Sequence, residues 1–422
     1  MLLRVLRLAV EVRGDEVRAL AWSFAYFFSI LAAYFILRPL REEMGIAGGV
    51  GNLEWLFTAT FFAMLAVVPA FGWLVAHVPR RRFVPYTYGF FIINILIFWV
   101  LLEYDIATRH VARVFFVWVS VFNLFIVSMF WSFMADLFRS EQGTRLFGFI
   151  AAGGTAGTIA GSAITLVLAK PIGAPNLLPI SAALLALAIW CVGGLLKATD
   201  GFGAKAGDQP LGGGILAGIT EAARSPYLLG ICAFIALFTT TSTFLYFQQA
   251  NIIAAEFSDP DERTRLFAFI NLAVSVLTVV VQIFLTGRFV KWLGLGAAVS
   301  FLPLVTLVGF ALFAWAPTVT MLVGFQIIRR VANFAITRPG REMLFTVVTR
   351  EQKYKSKNFI DTVVYRGGDA ASGWAYAGLS KGLGLDLSAI AIICMPIAAA
   401  WMALGWGLGK HRTRRVAAAA EA

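Results

Sequence analysis

Twelve runs of mostly apolar residues govern what this chain can become, each close to the roughly 20 residues that a helix needs to cross a bilayer. They occupy residues 19–37, 54–76, 84–104, 111–135, 146–169, 177–196, 227–250, 265–286, 294–314, 317–337, 359–380 and 387–408. Hydrophobic residues make up 59% of the 422 and charged residues only 14%, against about half and about a quarter in soluble domains. Too little polar surface remains to coat a water-facing body, so a soluble enzyme is excluded. Disorder is excluded as well, because chains stay unfolded only when their apolar content is low. The surplus needs hydrocarbon as its solvent, which predicts an all-α membrane protein with twelve transmembrane helices.

Orientation follows from the basic residues, which favour cytoplasmic loops. Placing both termini inside leaves roughly threefold more Lys and Arg in inner segments than in outer loops, and this predicts an N-in/C-in topology. The same bias accounts for the net charge of +12, so no nucleic-acid partner is expected. At the start, Leu2, Leu3, Val5, Leu6, Val10 and Val12 interleave with Arg4, Arg7 and Arg13. That pattern reads as an amphipathic segment, 1–18, lying on the membrane surface rather than as a signal peptide. The longest loop, 197–226, is rich in glycine and is expected to be a cytoplasmic linker between two six-helix bundles, 19–196 and 227–408, with a basic tail at 409–422. Cys191, Cys232 and Cys394 lie far apart, and His77, His110 and His411 show no ligand spacing. Neither a metal site nor a cofactor is expected.

Three local repeats relate parts of the chain. Gly72-Trp73-Leu74 with Pro79-Arg80-Arg81-Arg82 follows span two, and Gly287-Arg288-Phe289-Val290-Lys291-Trp292-Leu293-Gly294 follows span eight. Glu141-Gln142-Gly143-Thr144-Arg145-Leu146-Phe147 opens span five as Asp261-Glu262-Arg263-Thr264-Arg265-Leu266-Phe267 opens span eight, and Glu351 to Lys355 keeps the spacing before span eleven. Arg38-Pro39-Leu40-Arg41-Glu42 after span one resembles Arg338-Pro339-Gly340-Arg341-Glu342 after span ten. Weak internal symmetry of this kind marks repeat-built transporter folds.

Two six-span halves, a central loop and glycine-basic turns after spans two and eight resemble the major facilitator superfamily. Gly72, Arg80 and Arg81 match that family's loop motif, and Gly287, Lys291 and Gly294 its counterpart in the second half; Ala76 and Pro79 stand at its other fixed positions. The resemblance implies the major facilitator fold and a gating role for these six residues. Within the superfamily the chain resembles the nucleotide (ADP/ATP) translocase-like branch of bacteria and plastids. Three patches carry this: Tyr34-Phe35-Ile36-Leu37-Arg38 with Arg41-Glu42, Phe130-Trp131-Ser132-Phe133, and Lys353-Tyr354-Lys355-Ser356-Lys357-Asn358-Phe359-Ile360-Asp361. Pro39 and Arg41 depart from the branch's Asp and Lys. The resemblance implies substrate contacts at Arg38, Lys355 and Asp361, and a bacterial cytoplasmic (inner) membrane location.

A charge at the bilayer centre costs roughly 3 kcal/mol or more, so ionisable residues inside spans are functional candidates. Tyr34, Arg38 and Arg41 share one helical face of span one, and Pro39 is expected to break or kink that helix. The alternative for Arg38 is an interfacial side chain that snorkels to headgroups. Span four carries Ser128, Ser132, Asp136 and Arg139; span seven Thr239, Ser242, Tyr246 and Gln249; span ten Gln326, Arg330, Asn333 and Thr337 with Arg329 adjacent. Such stripes either line a pathway or form interhelical hydrogen-bond seams. Span eleven aligns Asp361, Tyr365, Asp369, Ser372 and Tyr376, with Arg366 placed to pair with Asp369. That pair is either structural or a relay for a proton or substrate. Gly153, Gly157 and Gly161 give span five a small-residue face suited to close packing.

Among these candidates Arg38, Arg41, Arg329, Arg330, Arg338 and Arg366 outnumber Asp136, Asp361 and Asp369. Guanidinium groups suit carboxylate and phosphate. The expected activity is secondary transport of an anionic organic solute, nucleotide-like or phosphorylated, by alternating access in a monomer. No Walker motif is present, so exchange against a counter-substrate or a coupling ion must drive it. A drug or metabolite exporter of the same fold is the runner-up, and a membrane enzyme ranks below both because no catalytic constellation is visible.

Overall fold

The computed structural model of the chain is helical and describes residues 13–14, 16–77, 80–138, 140–199, 220, 223, 225–349, 352, 356–357 and 359–421. The helices are α1 (Val17–Ala47), α2 (Leu53–His77), α3 (Arg80–Glu103), α4 (Thr108–Leu137), α5 (Ser140–Ile172), α6 (Leu177–Thr199), α7 (Pro226–Glu256), α8 (Pro260–Val281), α9 (Gly287–Trp315), α10 (Val319–Ala332), α11 (Arg338–Leu344), α12 (Tyr365–Ala377) and α13 (Leu387–Glu421). Among the described residues, ten helical stretches are long and apolar enough to cross a membrane. The expected amphipathic segment 1–18 and linker 197–226 fall largely outside the described residues. The tail from 409 continues α13 as helix to Glu421.

Three local expectations change. Pro39 does not break α1, which runs through it as one 31-residue helix. Proline removes one backbone donor, and the burial of Leu37 and Leu40 on either side holds the remaining turns. The anticipated turn, Gly287 to Gly294, is helical up to its last residue, within an apolar run of 56 residues, Pro260–Trp315. Its direction changes at Gly294, where φ 77° and ψ 173° demand glycine. Predicted span eleven is not among the ten apolar stretches. It forms a π segment, Ile360–Val364, then α12, then a second π segment, Gly378–Gly382, and carries Asp361, Arg366 and Asp369.

The chain forms two compact units. The first comprises Met1–Gly49, Ala66–Gln209 and Asp259–Leu272; the second comprises Val50–Leu65, Pro210–Ser258 and Ala273–Ala422. Both α2 and α8 therefore divide, each giving its first turns to one unit and the rest to the other.

In the first unit α1 is the central helix. It meets α5 along the glycine face: a Cβ on Gly157 would strike the Phe28 carbonyl oxygen, and one on Gly161 the Ala32 carbonyl oxygen. Only glycine lets the two backbones approach so closely. Across the core Phe27 stacks on Phe130 at 4.0 Å and 8°, so the Phe-Trp-Ser-Phe motif begins with a packing residue. The Tyr26 and Tyr88 hydroxyls satisfy each other at 2.6 Å in full burial. At the helix entry Glu16 is almost wholly buried and accepts from the Arg13 amide at 3.0 Å, from Gln142 at 3.0 Å and from Arg145 at 3.0 Å. Burial pushes its carboxyl up, but these partners outweigh that and hold it below its ordinary value.

In the second unit α9 packs along α13, and Ser300 donates to the Met402 carbonyl at 3.0 Å. Two π segments, Gln282–Thr286 and Asn333–Thr337, face each other. A π turn strands a carbonyl of its helix. Here Thr286 donates to the Ala335 oxygen at 2.7 Å and Gln282 to the Phe334 oxygen at 3.3 Å.

Candidate functional site

Five consecutive hydroxyl residues, Thr239 to Thr243, interrupt the apolar run of α7. Inside an apolar helix a hydroxyl finds its own backbone first. Thr240 donates to the Ala236 carbonyl at 2.9 Å, Thr241 to Leu237 at 3.0 Å and Ser242 to Phe238 at 2.6 Å. With their hydrogens committed, these oxygens present lone pairs to neighbouring helices. The run is a rail of acceptors.

Arg329 of α10 occupies one side of that rail. Its Nη2 donates to Ser242 at 2.7 Å and to Thr241 at 3.3 Å, and its Nε donates to Thr306 of α9 at 3.2 Å. The guanidinium sits 5.5 Å from the Phe238 ring centroid and is only 5% exposed. Among the described residues it pairs with no carboxylate, and its Nη1 takes no partner. A buried cation solvated by neutral hydroxyls alone is a costly arrangement. It has two N–H donors to spare and a full positive charge to share.

An acid lies on another side of the same rail. Asp369 of α12 accepts from Thr243 at 3.2 Å and faces Arg366 at 3.5 Å, the pairing that the spacing predicts. Ser372 donates to Thr240 at 3.0 Å. Gly368 lies so close to the Thr239 hydroxyl that a Cβ there would collide with it. The rail thus joins α10 and α12 and keeps Arg329 and Asp369 on separate partners.

Two sequence motifs meet below α10. Lys357 donates to Glu342 at 2.6 Å, and Asp361 lies in the field of Arg341, Lys357 and Arg338. Arg338 is exposed, Arg330 is half-buried, and Asn333 opens a π segment. Lys355 lies outside the described residues. Tyr246 packs on Phe57 at 5.3 Å and on Phe247 at 6.3 Å, an aromatic environment.

The first unit holds the remaining expected residues. Arg41 donates to Ser120 at 3.0 Å, pairs with Glu42 at 3.0 Å and lies 3.9 Å from the centre of the Phe116 ring. Arg38 is half-buried with its guanidinium 5.4 Å from the Phe35 ring, against which Tyr34 also packs edge-on. Asp136 is exposed at the end of α4. Of the loop-motif residues, the side chains at Gly72, Arg80 and Arg81 lie outside the described set, Gly287 and Lys291 are helical, and Gly294 forms the bend.

Several polar residues here escaped the sequence reading. Thr240, Thr241 and Thr243 were legible as a hydroxyl run, which a stripe at helical spacing passes over. Thr306 sits alone in an apolar helix, and nothing local marks it. Glu43 is fully buried and pairs with Arg263 of α8 at 3.0 Å. Both residues lie beside motifs already singled out, but only the fold brings them together.

A chain whose described residues are helical, with ten stretches among them long and apolar enough to cross a membrane and charges held inside them, is an integral multi-pass membrane protein. It belongs to the Major Facilitator Superfamily, whose family profile matches residues 18–339. No curated protein matches it in sequence. Solved structures share the fold at low identity. A bacterial homologue of the human lysosomal transporter Spinster, inward-facing and unoccupied, is 13% identical with a TM-score of 0.58, covering 95% of this chain and 99% of its own. A POT family transporter in complex with 5-aminolevulinic acid is 11% identical with a TM-score of 0.65, covering 94% and 97%. A bacterial homologue of the iron transporter ferroportin in an inward-facing state is 12% identical with a TM-score of 0.65, covering 92% and 98%. The fold is that of a transporter.

Proposed function

We propose that this chain is a secondary active transporter that carries an anionic organic solute through alternating access. The observation that carries the reading is Arg329, a buried guanidinium held by three hydroxyls with two N–H donors unused. An uncompensated buried cation is expensive to maintain, and a ligand carboxylate or phosphate would complete its shell with a charge-assisted, bidentate contact. Asp369, tethered by Thr243 beside Arg366, supplies a carboxylate that can exchange partners as the solute arrives.

The finer parts of the proposal rest on sequence. Twelve spans with both termini inside follow from the apolar runs and the basic bias. A phosphorylated or nucleotide-like solute follows from the patches resembling the translocase branch and from the arginine excess. Exchange or a coupling ion supplies the driving force, and the host is a bacterial cytoplasmic membrane in which the protein works as a monomer.

The test is uptake by proteoliposomes offered labelled nucleotides, organic phosphates and carboxylates beside cationic and neutral solutes. At least one anion should accumulate, and Arg329→Met should lower that uptake roughly a hundredfold. Transport confined to cations or neutral compounds would overturn the assignment.

A further inference from the structure

A cavity of about 600 Å³ opens within the second unit, away from Arg329, between the start of α2, the end of α7, the end of the polar α12 segment and the start of α13. Its size lies in the range of small-molecule sites. Three carboxylates line it, Glu54, Glu256 and Asp386, against a single cation, Lys381, while Phe247 and Tyr376 provide an aromatic wall. The charge balance is the reverse of that around Arg329.

Glu54 and Lys381 are unequal partners. The Glu54 side chain is 6% exposed and the Lys381 side chain 51%, so the acid belongs to the protein interior and the lysine reaches in from solvent. Lys381 bonds to the Glu54 carboxylate and to the Gly51 carbonyl at 2.6 Å. Glu256 is exposed and has no ion-pair or hydrogen-bond partner among the described residues. The Asp386 carboxylate accepts from the Ala389 amide at 2.7 Å. Behind the wall, Gln248 is fully buried, donates to the Leu387 carbonyl at 3.0 Å and leaves its Oε1 without a donor. Phe247 and Tyr376 stand edge to face at 5.1 Å, an arrangement that accepts an apolar body and attracts an ammonium group.

We infer that this cavity is a second ligand site, for an organic amine with an apolar body, in which the ligand's ammonium displaces Lys381 from Glu54. A flexible lysine already half in solvent regains the rest of its hydration when it is displaced. The buried carboxylate keeps a cationic partner throughout, so no buried charge is stranded. Glu256 and Asp386 add a negative rim, and the aromatic pair selects for hydrocarbon.

The test is direct binding to the purified full-length chain in lipid nanodiscs, with phenethylamine against its neutral and acidic counterparts, phenethyl alcohol and phenylacetate. Phenethylamine should bind saturably, and the alcohol and acid at least tenfold more weakly. Glu54→Gln should lower amine affinity at least tenfold. Lys381→Met should raise it severalfold, because the resident competitor is gone. Glu256→Gln, on an exposed rim residue that leaves folding intact, should lower it two- to threefold if Glu54→Gln proves unstable. Equal binding of amine and alcohol, or a Lys381→Met variant that binds the amine more weakly, would overturn the inference. Since the readout is binding rather than uptake, a failed anion assignment at Arg329 leaves this result interpretable.

Discussion

Replacing Arg329 by methionine separates a functional charge from a structural one. The substitution keeps apolar length and removes the guanidinium. Three hydrogen bonds disappear, at 3.2, 3.3 and 2.7 Å, each worth about 1.5–3 kcal/mol net because the donor is charged, or about 5–9 kcal/mol together. Two of the hydroxyls left behind remain satisfied, since Thr241 and Ser242 already donate to backbone carbonyls. Against that loss stands the desolvation of a buried cation with no carboxylate partner, several kcal/mol recovered once the charge is gone. The two terms nearly cancel, so folding stability should change by less than about 2 kcal/mol in either direction. Removing one member of a buried ion pair would cost about 3–5 kcal/mol. Transport should respond differently: losing a charge-assisted contact to an anionic solute costs about 3 kcal/mol, roughly a hundredfold at 1.4 kcal/mol per decade. Arg329→Lys, which keeps the charge but not the planar fork, should fall between. Proteoliposome uptake and thermal denaturation of the same preparations give both quantities. Uptake within threefold of the parent, or a collapse of stability parallel to the loss of uptake, would refute the reasoning.

Other outcomes are fixed by the packing. Gly157→Ala should destabilise the first unit by about 1–3 kcal/mol, because its methyl meets the Phe28 carbonyl, whereas Gly148→Ala, with open space around it, should be neutral; melting temperatures of the two variants decide. Arg263→Met should cost more than Glu43→Gln, about 1–3 kcal/mol, since it leaves a carboxyl group that is 0% exposed without its partner. The double variant should recover most of that loss in a thermal double-mutant cycle. Glu16, held below its ordinary value of 4.5, stabilises the fold above that pH and loses its contribution as pH falls through the folded value. Glu16→Gln should therefore lower stability at neutral pH and flatten the acid limb of the stability curve, and an unchanged acid limb would show that the buried clamp contributes nothing.

Much of the site's chemistry could be read along the chain, but its pairing could not. The Arg366–Asp369 contact was legible because three residues on a helix bring side chains onto one face. Arg329 and Arg330 stood out together because a charge in an apolar run is costly anywhere. That Arg329 is the buried member of its pair, and Arg330 only half-buried, was not legible: adjacent residues point about 100° apart, and the neighbours decide which one faces inward. The glycine face of α5 announced close packing, but its partner is set by where Phe28 and Ala32 of α1 fall.

By itself the sequence determined the solvent, the helical class and the repeat of membrane-length segments, because hydropathy over about 20 residues is a local sum that no tertiary contact alters. It also placed the charges that hydrocarbon would penalise. The tertiary structure alone decided that α2 and α8 divide between the two units, that the helix breaks at Gly294 and continues through Pro39, and that Thr306 of α9 joins the α7 hydroxyls around Arg329. These depend on which surfaces meet. A contact between residues far apart in the chain is settled by shape and by the need to satisfy every buried polar group, and neither quantity is written in any single segment.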